Sequence, residues 1–158
     1  MDPPFYFRKG LRDADFQDGT DFKFLARKIH FNAGRSLWRP EWSAEKNRTI
    51  YGDEGPHGYG HNYELEVAVE GHTDPATGMV VNLADLDRVL KEEVDRPLDH
   101  MNLNRDVPEF AKTPPTAENL AVWIWKRVAA RIEREKWPCR IVQLSLRLTP
   151  GFAVEIEE

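Results

Sequence analysis

The sequence predicts an α+β domain whose elements follow the order ββααββ. Two observations support this prediction. Apolar residues that alternate with polar ones indicate extended strands, and apolar residues spaced three or four apart indicate two amphipathic helices. The length of 158 residues is typical of one domain with a sizeable core. We therefore assign residues 22–158 to a single domain and residues 1–21 to an irregular N-terminal extension.

The first half of the domain contains two strands and a long polar segment between them. Residues 22–33 are predicted to be extended, and residues 62–70 alternate apolar with mostly acidic side chains, as in a half-buried strand. The polar segment 34–58 is too long for a passive connection, which favours a functional role. Residues 74–78 contain the Pro and Gly of a turn, and residues 79–81 are predicted to close a hairpin as a short strand.

Two helices follow in the predicted order. Asn82 is a favourable N-cap for a helix over residues 83–95, which is expected to end near Pro97. Thr116 is a favourable N-cap for the second helix, and Pro138 ends it. Apolar residues at helical spacing give each helix one face for burial.

A loop and two strands complete the predicted elements. Residues 98–113, between the helices, are predicted to form a polar loop. Residues 141–148 and 152–156 alternate again and are separated by a Pro-Gly turn, which predicts a second pair of strands.

The composition excludes several classes of protein. The 27 acidic residues outnumber the 22 basic ones, and the net charge of −5 argues against nucleic-acid binding. No stretch of about 18 apolar residues predicts a membrane span, and the first residues lack the pattern of a signal peptide. The single cysteine excludes an internal disulfide and is typical of a reducing compartment. We therefore expect a cytoplasmic protein without nucleic-acid or membrane partners.

Several short segments carry a resemblance to a known family. They cover residues 31–35, 58–63, 74–82, 98–103 and 115–119. In this order and spacing they resemble the 6-pyruvoyl-tetrahydropterin synthase and 6-carboxytetrahydropterin synthase family, from about residue 24 to 156.

The resemblance implies a tunnelling fold and a small-molecule, pterin-like substrate. In this fold two antiparallel strand pairs form a four-stranded sheet, with two helices on one face of it. Three subunits close their sheets into a barrel, and two trimers commonly stack into a hexamer. The resemblance therefore implies self-association to a trimer or hexamer, with the sites between subunits.

The zinc site of the family is altered in this sequence. The resemblance implies three histidine ligands, and the corresponding positions here are Arg35, Tyr59 and His61. A guanidinium has no acceptor for a metal, whereas zinc requires three or four N, S or O donors. We therefore favour no cofactor. A rebuilt zinc site remains an alternative, with His57 and His61 as candidate ligands and Tyr59 or Glu54 as a third.

The resemblance implies a proton-relay pair that this sequence retains. His100 is the general acid/base and Asp99 orients its imidazole, a combination suited to proton transfer near neutral pH. The usual catalytic cysteine is absent, and Glu54 is a candidate carboxylate base in the same stretch. Tyr59 is expected to assist, and Arg35 to supply the electrostatic role of the metal.

Two further positions are candidates for substrate binding. The family holds the pterin with a glutamate in the penultimate strand, and the corresponding residue here is Arg147, within one residue. Arginine carries donors only and suits a carboxylate or phosphate. Glu118 lies in another of the matching segments and is the second candidate.

Three hypotheses follow from these departures. The first is a diverged enzyme performing zinc-independent acid/base lyase or cyclase chemistry on a pterin-like or acidic heterocyclic substrate. The second is a zinc-dependent lyase on dihydroneopterin triphosphate with a rebuilt metal site. The third is a non-catalytic ligand-binding protein on the same fold.

Overall fold

The computed structural model describes residues 22–53 and 55–158. The predicted extension 1–21 and the candidate base Glu54 therefore lie outside the described residues. Within the part of the chain that the structure describes, no helix is long and apolar enough to cross a membrane.

The fold is α+β, as predicted, and it is built on one mixed sheet of five strands. The strands are β1 (Phe22–Arg35), β2 (Tyr59–His72), β3 (Met101–Asn102), β4 (Cys139–Thr149) and β5 (Phe152–Glu157). Their order across the sheet is β3-β1-β2-β4-β5. Four strands form the predicted antiparallel sheet, and the short β3 adds a parallel pair on the outer edge of β1.

The short strand β3 corrects the prediction of a loop over residues 98–113. The backbone N–H of His100 donates to the carbonyl of Asn32 at 2.6 Å, and Asp99 accepts from the Asn32 N–H at 2.8 Å. These bonds hold the chain against β1, so that the next residues pair with it. A short helix, α3 (Leu103–Asp106), and a 3₁₀ turn (Pro108–Ala111) then replace the rest of the predicted loop.

The predicted strand over residues 79–81 is absent from the described structure. The turn itself is present, since the Gly78 N–H donates to the Asp74 carbonyl at 2.7 Å. However, β1 and β4 already occupy both edges of β2, so no edge is left for a returning strand. The residues after the turn lead into a helix instead.

Two longer helices cover one face of the sheet. Helix α2 (Leu83–Leu90) begins at Asn82, as predicted, and continues through a π turn (Lys91–Asp95) and a last turn (Arg96–Leu98). Helix α4 (Ala117–Glu135) begins at Thr116, whose side chain accepts from the Asn119 N–H. Both N-caps predicted from the sequence are confirmed.

A further helix, α1 (Ala44–Tyr51), lies in the polar segment after β1 and was not predicted. Its N-cap is Ser43, whose hydroxyl accepts from the Lys46 N–H. The buried side chain of Asn47 holds the start of this helix to the preceding loop.

The core lies between the sheet and the helices. The alternating residues Tyr63, Leu65, Val67 and Val69 of β2 are fully buried and pack with the apolar stripes of the helices. Between them, Glu64 and Glu66 are only half-buried and form ion pairs with Lys28 on the other face. The sheet thus has one apolar face and one charged face.

Candidate active site

Three of the predicted residues meet where β1 ends and β2 begins. Arg35 pairs with Tyr59 in the β1–β2 ladder, and Ala33 pairs with His61. Because side chains alternate along a strand, residues 35, 59 and 61 share one face. The guanidinium Nη2 of Arg35 lies 3.5 Å from Nε2 of His61, and its carbon lies 5.6 Å from the centre of the Tyr59 ring. We call these three residues the Arg35 cluster.

Arg35 is held almost entirely out of solvent, with 7% of its surface exposed. Its Nη1 donates to the carbonyl of Pro115 at 2.8 Å, which fixes the direction of the side chain. Its Nε is buried and has no hydrogen-bond partner among the described residues. The hydroxyl of Tyr63 is also buried without a hydrogen-bond partner among the described residues. Burial raises the pKa of Tyr63 to about 12. The cluster therefore adjoins buried polar atoms with unused hydrogen-bonding capacity.

His61 is biased toward its neutral form. Burial lowers the pKa of this imidazole, and the nearby charge of Arg35 lowers it further. The ring stands edge-on to Tyr59 and Tyr63, at centroid distances of 5.2 and 5.5 Å. His61 therefore favours the neutral imidazole more than a free histidine does, beside the cation of Arg35.

The donor set of the Arg35 cluster does not fit zinc. Arg35 carries no lone pair and places positive charge next to His61, where a cation would have to bind. Across residues 22–53 and 55–158, no group of three or more His, Cys, Asp or Glu side chains could hold a metal ion. His57, the other candidate ligand, is exposed in a 3₁₀ turn before β2.

The Asp99–His100 pair is present as predicted. Asp99 Oδ2 lies 2.9 Å from Nδ1 of His100, while its Oδ1 accepts from the backbone N–H of Asn32. The Asn32 N–H is the largest cause that lowers the pKa of Asp99, and the hydrogen bond to His100 adds to it. An ionised Asp99 that accepts from Nδ1–H leaves the Nε2 lone pair of His100 free to take a proton.

His100 is held in an unusual backbone conformation. Its φ angle is +61°, in the left-handed region that non-glycine residues rarely adopt. The imidazole is 77% exposed and points away from the core. A strained, exposed imidazole with a fixed carboxylate partner is typical of a functional side chain. The backbone N–H of His100 donates to the carbonyl of Asn32, three residues before Arg35, so His100 and Arg35 lie at the same end of β1.

Arg147 lies on the charged face of the sheet, in an open cleft of about 730 Å³. Its Nη1 donates to the Pro150 carbonyl at 3.1 Å, and its Nε lies 3.9 Å from Oε1 of Glu64. His61 also lines this cleft, so the cleft connects the Arg35 cluster to Arg147. The residues Asp99 and His100 do not line it.

Glu64 is a cleft residue that sequence reasoning missed. It pairs directly with Arg147 across β2 and β4, which confirms the close approach of these two positions. The alternation in β2 already placed Glu64 on the polar face, but its partner across the sheet depends on register, which the pattern alone does not reveal.

Two other residues lie apart from the cleft. Glu118 is exposed in the first turn of α4 and is not among the residues lining the cleft. Cys139 pairs with Gly71, at the opposite end of β2 from Tyr59, and burial raises the pKa of its thiol. A cysteine so placed does not replace the catalytic cysteine of the family.

The sheet with one helix-covered face and one charged face is the tunnelling fold, and the site places the buried guanidinium of Arg35 and the Asp99–His100 pair at one end of its longest strands. A family model described as 6-pyruvoyl tetrahydropterin synthase matches residues 24–158. The chain therefore belongs to the 6-pyruvoyl tetrahydropterin synthase family.

The chain is also similar to individual proteins. It is 48% identical over 102 residues to 6-pyruvoyl tetrahydrobiopterin synthase of Homo sapiens, covering 64% of this chain and 70% of that protein. It is 34% identical over 99 residues to dihydroneopterin monophosphate aldolase of Pyrococcus furiosus, covering 63% and 77%. The structure of the Caenorhabditis elegans 6-pyruvoyl tetrahydropterin synthase matches with a TM-score of 0.79 at 26% identity, covering 88% and 97%.

Proposed function

We propose that this chain is a pterin lyase of the 6-pyruvoyl tetrahydropterin synthase type whose acid/base chemistry does not depend on zinc. Family membership and the names of its relatives support a pterin as the class of substrate. The chemistry at the site supports the absence of a metal requirement, because an arginine occupies the place of one expected ligand. The relatives named as a synthase and an aldolase both point to a lyase.

The observation that carries this proposal is the fixed, buried guanidinium of Arg35, 3.5 Å from His61. Removing a proton from the carbon beside a carbonyl of the substrate side chain, or from a hydroxyl itself, builds negative charge on oxygen. A preorganised cation that is shielded from water stabilises such charge in the transition state. Because arginine stays protonated throughout the physiological range, Arg35 supplies this charge at every working pH.

His100 is the proposed proton carrier. With Asp99 on its Nδ1, the imidazole accepts the substrate proton at Nε2 and returns it at the product stage. Tyr59 lies at the open side of the Arg35 cluster, where its hydroxyl can assist by donating to the substrate oxygen. Glu54 remains a proposed second base in the adjoining turn. Arg147 and Glu118 remain the proposed substrate-binding residues.

The proposed active unit is a trimer or hexamer. The imidazole of His100 is exposed and lies outside the cleft that His61 and Arg147 line, so one copy of the chain does not bring all these groups to one point. A neighbouring copy on the open edge of the sheet supplies the missing wall. The tunnelling fold closes in this manner when several sheets join into a barrel.

The proposal is tested by metal analysis and turnover of dihydroneopterin triphosphate with the purified full chain. We expect turnover with far less than one zinc per chain, and no loss of rate after treatment with a chelator. Arg35→Ala should lower kcat about 100-fold or more, the scale seen when one stabilising donor of an oxyanion is removed. Arg39→Ala is the matched control, because Arg39 contacts the exposed Glu41 and Trp42 instead.

Three results would each contradict this proposal. Stoichiometric zinc with chelator-sensitive turnover would establish the rebuilt metal site. Tight binding of pterins with no turnover would establish a binding protein. Unchanged kcat in Arg35→Ala would remove the role of the guanidinium.

A further inference from the structure

Two buried polar atoms beside His61 have no hydrogen-bond partner among residues 22–53 and 55–158. They are the Nε of Arg35 and the hydroxyl oxygen of Tyr63. Arg35 is 7% exposed and Tyr63 is fully buried, so bulk solvent does not reach either atom. Buried polar groups of folded proteins are nearly always hydrogen-bonded, either to other protein atoms or to internal water. The two atoms therefore indicate a polar partner that the described residues do not supply.

The ladder between β1 and β2 brings Arg35 and Tyr63 to the same face of the sheet. Three successive pairs of opposite residues share that face, and they are Phe31–Tyr63, Ala33–His61 and Arg35–Tyr59. The middle pair contains the small side chain of Ala33. Because this side chain is only a methyl group, the guanidinium of Arg35 can lie over it and approach His61 at 3.5 Å.

His61 is a common neighbour of the two groups. Nη2 of Arg35 lies 3.5 Å from its Nε2, and the Tyr63 ring lies 5.5 Å from its ring, centre to centre. Burial raises the pKa of Tyr63 to about 12, and the charge of Arg35 acts on the same hydroxyl in the opposite direction. The guanidinium and the hydroxyl therefore lie within electrostatic reach of each other, although no direct hydrogen bond joins Nε to the hydroxyl.

Tyr63 is anchored more firmly than Arg35. The ring of Tyr63 stacks on Phe31 at a centroid distance of 4.9 Å, with 11° between the two planes. Arg35 is fixed by one hydrogen bond, from Nη1 to the Pro115 carbonyl at 2.8 Å, while its 3.5 Å approach to His61 is long for a hydrogen bond. A guanidinium held at one nitrogen can still swing about that point. A second hydrogen bond at Nε would fix the plane of the group.

We propose that one internal water molecule joins Nε of Arg35 to the hydroxyl of Tyr63, and that Tyr63 is thereby a positioning residue for Arg35. The water accepts a hydrogen bond from the Nε–H, and it exchanges another with the hydroxyl, so that both buried atoms gain a partner. Through this bridge the stacked tyrosine holds the guanidinium in the direction needed to stabilise negative charge on the substrate. The positioning role rests on the proposed function, whereas the water itself does not.

The water is tested by a crystal structure of the full native chain. We expect electron density for one water at a hydrogen-bond distance, about 2.7–3.2 Å, from both Nε of Arg35 and the Tyr63 hydroxyl. No density there, density in contact with one of the two atoms only, or a direct hydrogen bond between the two atoms would overturn the inference. This measurement requires no variant to fold.

Tyr63→Phe is the variant that isolates the hydroxyl, because it keeps the ring that stacks on Phe31. In its crystal structure the bridging density should be lost and the guanidinium of Arg35 should turn away from His61. Density that persists in Tyr63→Phe would show that the hydroxyl does not hold the water. An Arg35 side chain that stays in its native place would overturn the positioning role, whether or not the chain has turnover.

The positioning role is also tested by turnover of dihydroneopterin triphosphate. We expect Tyr63→Phe to lower kcat about 10-fold and to change KM by less than about twofold, because the loss affects the transition state more than substrate binding. Tyr51→Phe is the matched control, since the ring of Tyr51 stacks on Trp42 and lies outside the Arg35 cluster. It should leave kcat unchanged. Equal kcat values in the two variants would overturn the positioning role.

Action through Arg35 is tested by combining two substitutions. If Tyr63 acts only by positioning Arg35, then Tyr63→Phe should lower kcat no further in a chain that already carries Arg35→Ala. A merely structural effect of Tyr63 would instead lower the urea midpoint, and it would lower kcat by the same factor in both backgrounds. That result would overturn the inference.

The inference and the proposed function fail in different measurements. Unchanged kcat in Arg35→Ala contradicts the proposed function, and the electron density beside Tyr63 still decides whether the water is present. A large loss of kcat in Arg35→Ala together with unchanged kcat in Tyr63→Phe contradicts the positioning role alone.

Discussion

Arg35 has no acidic partner among the described residues. Its contacts there are a carbonyl, an imidazole and an aromatic ring, none of which carries a negative charge. A buried cation without a counter-charge is costly unless something else compensates it. None of these described contacts neutralises the charge of Arg35, which agrees with a role in stabilising negative charge on the substrate.

Replacing Arg35 should change the titration of His61. Burial and the charge of Arg35 both lower the pKa of this imidazole. In Arg35→Gln the second cause is removed, so the pKa should rise toward 6.5 and stay below it because burial remains. The measurement is a pH titration of the His61 ring resonances by NMR.

The control for this titration is Arg39→Gln, which removes an exposed arginine outside the cluster. It should leave the His61 titration unmoved. An Arg35→Gln titration that coincides with the native one would show that the guanidinium does not act on His61.

Asp95 and Asp99 should affect stability with opposite sign. Burial, and then the charge of Asp99, raise the pKa of Asp95, whose Oδ1 is buried without a hydrogen-bond partner among the described residues. A raised pKa gives stability that is present below the unfolded value of 3.8 and is lost as pH rises through the folded value. Asp95→Asn should therefore increase the urea midpoint near neutral pH, with a gain that fades toward acid pH.

Asp99→Asn is the counterpart of that change. The pKa of Asp99 is lowered, so its contribution is present above the unfolded value of 3.8 and is lost as pH falls through the folded value. Its replacement should lower the urea midpoint near neutral pH. Midpoints that move in the same direction for both variants would contradict this assignment.

The residues of the site could be predicted in part from the sequence. Arg35, Tyr59 and His61 were predicted as a group from the motifs, and the ladder that pairs Arg35 with Tyr59 brings them together. Glu64 was missed because its importance depends on the residue opposite it. Which residue of β4 faces Glu64 is a property of register, and register follows from packing and bulges rather than from local pattern.

At the scale of elements, helix α1 and its preceding loop form a unit around one amide. The Asn47 side chain is fully buried and donates to the carbonyls of Arg39, Trp42 and Ser43, while it accepts from the Arg39 N–H at 2.7 Å. The indole of Trp42 stacks on Tyr51 and lies 4.3 Å from the Lys46 ammonium. The segment is therefore ordered by local contacts, although its sequence is polar.

Asn47→Ala should loosen this unit. Four hydrogen bonds are lost and buried backbone groups are left unpaired, which should cost about 2–3 kcal/mol of local stability. Hydrogen exchange of the α1 amides measures this change. Thr49→Ala, on the exposed side of the same helix, should change it by less than about 0.5 kcal/mol. Equal exchange in the two variants would show that Asn47 does not organise the loop.

The longer elements could be predicted because their patterns are strong. The apolar stripe of α4 and the alternation of apolar residues in β2 each predict one buried face. The structure confirms both predictions. Strand β3 could not be predicted, since it depends on a contact with the distant strand β1. Helix α1 was missed because its order comes from one buried amide in a polar stretch, which the spacing of apolar residues does not reveal. The strand expected at residues 79–81 was wrong for a related reason: local pattern does not show that both edges of β2 are occupied.

At the scale of the whole molecule, no strand of residues 22–53 or 55–158 pairs with the outer edges of β3 and β5. Strand β5 is on one side, where Phe152 is 46% exposed, and the short β3 is on the other. Open edges favour pairing with another chain. A barrel of several sheets removes them, which is the assembly proposed for the active unit.

Sedimentation should show this assembly directly. One chain has a mass of 18.3 kDa, so a trimer has three times this mass, about 55 kDa, and a hexamer about 110 kDa. Analytical ultracentrifugation of the full chain should give one of these two values at micromolar concentration. A monomer that still turns over substrate would contradict the proposed site between subunits.

The central place of β2 has a consequence for how the chain folds. Its partner β1 precedes it closely, whereas β4 follows only after both long helices. The pairing of Glu64 with Arg147 therefore joins residues that are far apart in the sequence. Contacts so distant in sequence are slow to form, because the entropy of closing a large loop opposes them. During synthesis on the ribosome, the edge of β2 that faces away from β1 therefore stays unpaired until β4 is made. Chaperones that cover exposed strand edges would act during that interval.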